Sequence, residues 1–162
     1  MNEPVKVGVV TPEVLLSYDG LSFLKALIAG ELPSPPIAET LGFRLAEAEI
    51  GRAVFTATPA FKHYNPIGTV HAGFAATLLD SCVACAVHTT LAKGEAYTTL
   101  ELKINLTRPL TDKVGPVFAE GRVVHRGRQI ATAEGYLKDA SGKLYAHANT
   151  TCIIFPAKAG AP

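Results

Sequence analysis

Hydrophobic positions recur in two rhythms along this 162-residue chain. In "SYDGLSFLKALIAGEL" they fall at Leu21, Leu24, Ala26, Leu27 and Ile28, a helical stripe that Asp19 can cap and Gly30 can stop. The run "PSPP", Pro33 to Pro36, predicts a semi-rigid spacer, because proline fixes φ and donates no hydrogen bond. From Leu41 the rhythm shortens to alternation. "FRLAEAEIGRAVFTATPA" breaks at Ile50–Gly51, which predicts two strands joined by a tight turn. Gly73 to about Leu91 is alanine-rich, free of proline and apolar nearly all round, as a buried helix would be. Four β-branched, alternating segments follow: "YTTLELKINLTRPL", "GPVFAEGRVVHRGR", "QIATAEGYLKDASGK" and "LYAHANTTCIIF". Pro109, Gly115–Pro116, Gly127 and "DASGK" punctuate them.

One long helix among consecutive antiparallel strands predicts an α+β domain in which a sheet wraps the helix. Residues 1–40 are expected to form a helical arm and proline-rich spacer, 41–156 the domain, and 157–162 a flexible tail. The far face and edge of such a sheet stay exposed unless another copy covers them, so a homo-oligomer is expected.

Composition narrows the function classes. Hydrophobic residues make up 48% and charged ones 18%, which suits one core with some surface left for subunit contacts. A formal charge of +1 supplies no global attraction to nucleic acid or to an anionic membrane. No stretch approaches the roughly 20 apolar residues of a membrane span. The opening "MNEPVKVGVVTPEV" lacks the apolar core of a signal peptide. Three cysteines, an odd number, speak against a secreted disulfide framework, and a cytoplasmic protein is expected.

The chemistry concentrates in "NPIGTVHAGFAATLLDSCVACAV", Asn65 to Val87. Pro66 and Gly68 mark a loop. Ala72 and Gly73 lie where the next helix begins, and a helix start presents unpaired N–H groups suited to an anionic oxygen. Small residues there either let a ligand reach the backbone or permit tight helix–sheet packing. Asp80 is the one acid between His71 and Lys93. Its neighbours at helical spacing are Ala76, Thr77, Val83 and Ala84, whereas Phe74, Leu78 and Cys82 follow a stripe suited to the sheet. A carboxylate without a partner in such a place is costly, so Asp80 is a candidate general base or nucleophile, against the alternatives of a solvent-facing helix acid or a structural polar partner.

Asn65, Gly68, His71-Ala72-Gly73 and Asp80 together resemble the hotdog-fold acyl-CoA thioesterases of the phenylacetate-degradation (PaaI-like) type. That family's pattern is an Asn, a nearby Gly, His-Gly-Gly, then an Asp on the central helix. "TTLELKINLTRP" and "GRVVHRGRQIATAEGYLKDASGKLYAHA" resemble its later strands, and the resemblance spans roughly Leu41 to Phe155. Ala72 departs from the family's first glycine, which bears on pocket depth more than on chemistry, since alanine keeps the backbone N–H. The resemblance implies a hotdog fold and hydrolysis of an acyl-CoA, aryl or short to medium chain, to free acid and CoA. It implies Asp80 as general base or nucleophile and the Ala72 N–H as oxyanion donor. Asn65 would position the carbonyl or water, Thr99 (with Thr98 the other candidate) would orient the water, and His71 would brace the loop. One protomer would supply the loop and its neighbour the acid, within a dimer of dimers. No metal and no cofactor beyond the substrate's own CoA is implied.

Other features are weaker. Cys82 and Cys85 form a CxxC deep inside the helix, where core packing is the better account than redox chemistry. No Cys/His spacing suits a metal finger, and His63, His88, His125 and His147 are scattered. Arg126-Gly127-Arg128 could hold CoA phosphates or form a solvated hairpin turn; Arg108 and Lys138 are lesser candidates. Tyr64 and Phe74 are candidate acyl-pocket residues. The rival functions are an acyl-thioester dehydratase or hydratase, and a non-catalytic acyl-CoA-binding module.

Overall fold

The computed structural model describes residues 6–157. Three short helices, α1 (Pro12–Ser17), α2 (Gly20–Ile28) and α3 (Pro36–Leu41), lead into strands β1 (Phe43–Glu49) and β2 (Arg52–Ala57). A single 3-10 turn (Phe61–His63) precedes the long helix α4 (Ala72–His88). Strands β3 (Glu95–Leu106), β4 (Val117–Arg126), β5 (Ile130–Asp139) and β6 (Leu144–Pro156) complete the chain. Two strands, one long helix and four strands is the order that the hydrophobic rhythm predicts.

The arm is richer than the single helix expected. Asp19 does cap α2, its Oδ1 accepting from the Ser22 N–H at 2.9 Å. The "PSPP" run, expected to be irregular throughout, instead starts α3: Pro35 is the N-cap and Pro36 the first helical residue. Proline's fixed φ suits that position, and its missing N–H would have had no intrahelical partner there. Phe23 and Leu24 of α2 are buried against Ala48 of β1. At the other end, the Ala157 N–H bonds the Gly94 carbonyl at 2.8 Å, and the rest of the tail lies outside the described residues.

The six strands form one antiparallel sheet in the order β1-β2-β4-β5-β6-β3. β3 crosses to the far side of β6, pairing from Glu95↔Pro156 to Leu106↔Ala146, and is left as an edge. The sheet wraps α4, whose Leu78, Leu79, Cys82 and Val83 are fully buried. Opposite them the strands carry small side chains, Ala119, Ala131, Ala133, Ala146 and Ala148. This lets the helix sit close to the backbone of the sheet. At Gly121 it is so close that an added Cβ would lie 2.2 Å from the Cys82 carbonyl oxygen. Backbone cannot move aside as a side chain can. Gly121→Ala is therefore expected to cost about 3 kcal/mol, the upper end for overpacking, measured as a lower midpoint in chemical denaturation.

Candidate active site

The loop before α4 is a self-contained turn. Asn65 Oδ1 accepts from the N–H groups of Ile67 (3.1 Å) and Thr69 (3.2 Å), while its Nδ2 donates to Thr69 Oγ1 at 2.9 Å. The Val70 N–H reaches the Leu110 carbonyl at 3.0 Å and the His71 N–H the His63 carbonyl at 2.7 Å. Thus Asn65 shapes the loop, and with His71 and Ala72 it faces a cavity of about 310 Å³ shared by Arg108, Leu110 and Tyr145.

His71 is the N-cap of α4, its Nδ1 accepting from the Gly73 N–H at 2.8 Å. With Nδ1 an acceptor, the neutral ring carries its proton on Nε2. The ring also explains Gly73: an added Cβ there would stand 2.9 Å from His71 Nδ1. The Phe74 N–H is used by the His71 carbonyl at 3.0 Å. That leaves the N–H of Ala72, the exposed first residue of the helix, without a partner among the described residues. The positive end of a 17-residue helix makes it a donor in search of an electron-rich oxygen.

Asp80 lies two turns further along, half-buried. Loss of water around the carboxyl raises its pKa above the ordinary aspartate value, and the Thr99 hydroxyl of β3 beside it pulls part of the way back. No lysine or arginine contributes to the shift. Thr98, one residue earlier, points to the opposite side of the strand and is exposed, so Thr99 is the threonine beside the acid. Tyr97 shares the face of Thr99. It escaped the sequence analysis, although simple alternation from Thr99 would have found it. Along the helix, Ala72 and Asp80 are eight residues and roughly 12 Å apart. One carbonyl group cannot touch both within a single chain.

The remaining candidates separate clearly. Cys82 and Cys85 are free, and burial raises both thiols, Cys85 to about 12, so neither is a thiolate near neutrality. Among the described residues no three His, Cys, Asp or Glu side chains are grouped to hold a metal ion. Arg126 is engaged: its Nη2 contacts both oxygens of Glu95 at 3.0 and 2.8 Å, and its Nη1 donates to the Gly127 carbonyl. Arg128 instead flanks a groove of about 300 Å³ with Lys93, Gln129 and Phe155. Arg108 donates from Nη1 to the Leu144 carbonyl at 2.6 Å and lines the cavity at Ala72. Lys138 lies over the Tyr136 ring, apart from either place. Neither aromatic candidate lines the cavity at Ala72. The Tyr64 hydroxyl donates to Asp112 at 2.8 Å, and Phe74 is buried in the core against His63, with ring centroids 4.3 Å apart.

A sheet wrapped on one long helix is the fold of solved thioesterase structures. The family model of the thioesterase superfamily matches residues 67–146. A Saccharolobus solfataricus protein bearing an esterase name is 30% identical over 122 residues, 75% of this chain and 85% of that protein. The 1,4-dihydroxy-2-naphthoyl-CoA hydrolase of Listeria monocytogenes is 24% identical over 118 residues, 73% and 94% of the two chains. A solved thioesterase-class structure from Ralstonia eutropha, described as phenylacetic acid degradation-related, superposes with a TM-score of 0.73 at 30% identity. It covers 81% of this chain and 98% of that one. The chain belongs to the thioesterase superfamily, as a PaaI-like hotdog protein, and is a thioester hydrolase. No helix among the described residues is long and apolar enough to cross a membrane.

Proposed function

We propose that the protein hydrolyses an acyl-CoA to the free carboxylic acid and CoA in a site shared by two copies of the chain. The observation that carries this is the half-buried Asp80, its pKa raised above the ordinary aspartate value by burial, with the Thr99 hydroxyl beside it. A thioester carbonyl is already electrophilic, so cleavage asks for an activated water or a carboxylate nucleophile and one oxyanion donor. The Ala72 N–H of one copy is that donor. Asp80 of the other is the base or nucleophile, because the roughly 12 Å between them on one helix is too far for one carbonyl. Asn65 and His71 hold the turn, and Thr99 orients the water. No metal or added cofactor has a step to perform in this scheme.

The second copy has a surface to join. β3 is an unpaired edge of 12 residues whose Leu100 and Leu106 are 57% and 54% exposed. An edge of that kind invites a strand from another chain, and Thr99 lies along it. A dimer of such pairs gives the tetramer, and a cytoplasmic setting keeps the three thiols reduced. The relative named as a dihydroxynaphthoyl-CoA hydrolase favours an aryl acyl group and CoA as the leaving thiol.

A dehydratase or hydratase would pair the acid with a histidine across Cα–Cβ. Here His71 Nδ1 is committed to Gly73, and His88 lies two turns beyond Asp80, packed between aromatic rings. The deciding experiment incubates the protein with a panel of acyl-CoAs and a thiol reagent. Stoichiometric release of free CoA supports the proposal, and tight binding without release makes the protein a binder instead.

Phosphate recognition falls to Arg128 and Lys93, with Arg108 at the cavity itself, while Arg126 neutralises Glu95. Arg128→Ala is expected to raise KM for acyl-CoA about tenfold with kcat held, one charge-assisted contact being worth roughly 1.5 kcal/mol or more. Arg126→Ala should leave KM alone and lower stability by about 1 kcal/mol, as befits a partly exposed ion pair. Steady-state kinetics and thermal melts of the two variants separate the roles.

A further inference from the structure

Strand β3 changes face partway along. Tyr97 packs on the core and Thr99 stands beside Asp80, so strict alternation would turn Glu101, Lys103 and Asn105 inward as well. Instead Leu102 and Ile104 pack on the core, while Glu101, Lys103 and Asn105 are exposed. One extra residue makes the change. Thr99 pairs with Cys152 of β6 and Glu101 with Thr151, so Leu100 is skipped and the ladder bulges there. Leu100 is left 57% exposed.

The hydrophobic pattern alone would not put a bulge there. Leu100, Leu102, Ile104 and Leu106 alternate without a break, and an even ladder would place all four on one face. In that register Thr98 would take the inner face and Thr99 the outer one. The bulge thus exposes a leucine and keeps Thr99 inward, a local rule broken beside the acid. Thr150 of β6 holds it. This residue is 2% exposed, and its hydroxyl donates to the Glu101 carbonyl, directly after the bulge, at 2.7 Å. Cys152, on the same face of β6, has its thiol beside the hydroxyls of both Thr99 and Thr150.

We propose that Thr150 is a positioning residue for the hydrolysis: its hydroxyl fixes the Leu100 bulge, and the bulge keeps Thr99 turned toward Asp80. This rests on Asp80 and Thr99 serving the reaction. Thr150 bonds Glu101 and not Asp80, so its effect passes through Thr99. The Thr99 hydroxyl donates to the Asp80 carboxylate and so favours the ionised form. Loss of that bond raises the pKa of the acid, and the acid limb of the activity profile moves to higher pH.

The test compares Thr150→Val, Thr150→Ser, Thr99→Val and the double variant, reading kcat, KM and the pH profile on the best acyl-CoA of a panel. Valine keeps the size of threonine and deletes the hydroxyl. Thr150→Val is expected to lower kcat about tenfold with KM held, as for loss of one well-aligned hydrogen bond. It should also move the acid limb of kcat to higher pH, as Thr99→Val does. Thr150→Ser keeps the hydroxyl and should restore both. In the double variant the two losses should not multiply, because both act through one hydroxyl. Partial unfolding would lower the active fraction and leave the limb in place. Wild-type kcat and limb in Thr150→Val, or losses that multiply in the double variant, overturn the positioning role and leave the hydrolase intact. A wild type that releases no CoA from any member of the panel overturns the hydrolase and this role together. Should Thr150→Val fail to fold, Thr150→Ala, which deletes the hydroxyl without adding bulk, is read against the same outcomes.

Discussion

Asp80→Asn is expected to lower kcat for a preferred acyl-CoA by about 10²–10⁴-fold, the usual worth of a positioned acid–base group, with a folded protein and nearly unchanged substrate affinity. The amide keeps the size of the carboxylate and its contact with Thr99 but can neither take a proton nor attack a carbonyl. The pH profile carries the same information. Asp80 must be ionised to act, and burial raises its pKa, so activity should climb with pH along a limb that lies above the ordinary aspartate range. The stability consequence has a definite sign. The folded chain binds this proton more tightly than the unfolded chain does, so the group's contribution to stability is present below the unfolded pKa. It is lost as pH rises through the folded one. Burying Asp80 thus carries a stability cost at neutral pH. Equal turnover by wild type and Asp80→Asn would remove this side chain from the chemistry.

Ala72→Pro should be nearly as damaging for a different reason. Ala72 is the first residue of α4, a position where proline is welcome, and His71 before it has an extended ψ of 138° that a following proline prefers. The substitution deletes one N–H and leaves the helix in place. Loss of a single oxyanion donor typically costs about 10²–10³ in rate, and the melting temperature should shift by little. The two variants also test the shared site. In a mixed dimer of Asp80→Asn and Ala72→Pro chains, one site collects both defects and the other has none. Co-refolding the two dead proteins should restore about half of the wild-type rate per mixed dimer, as expected when groups on different chains serve one reaction. Failure to recover activity, with heterodimers present, would overturn the shared site.

Much of this molecule was legible in the linear pattern, because its strands have one buried face and its helix is enclosed. Periods of two and of about 3.6 residues therefore survive in the sequence. The "HAG" turn and Asp80 were visible for a related reason: the polar loop and the lone acid interrupt an apolar run. What stayed hidden depended on long-range partners. Arg126 looks like its neighbour Arg128 until Glu95, 31 residues away, folds onto it. Thr98 and Thr99 differ by the face of a strand, and a register is decided by pairing with β6. The proline run misled because the same ring that forbids a helix interior favours a helix start. Phe23 gives no local sign that it will meet His88, since the docking of α2 depends on the fit at Gly20.

The eight-residue spacing between Ala72 and Asp80 on α4 has a bearing on when the enzyme works. If the site is shared as proposed, a chain that has folded but found no mate would hold two unfinished halves. Turnover would then begin at assembly, and dilution below the dissociation constant is expected to switch it off without any inhibitor.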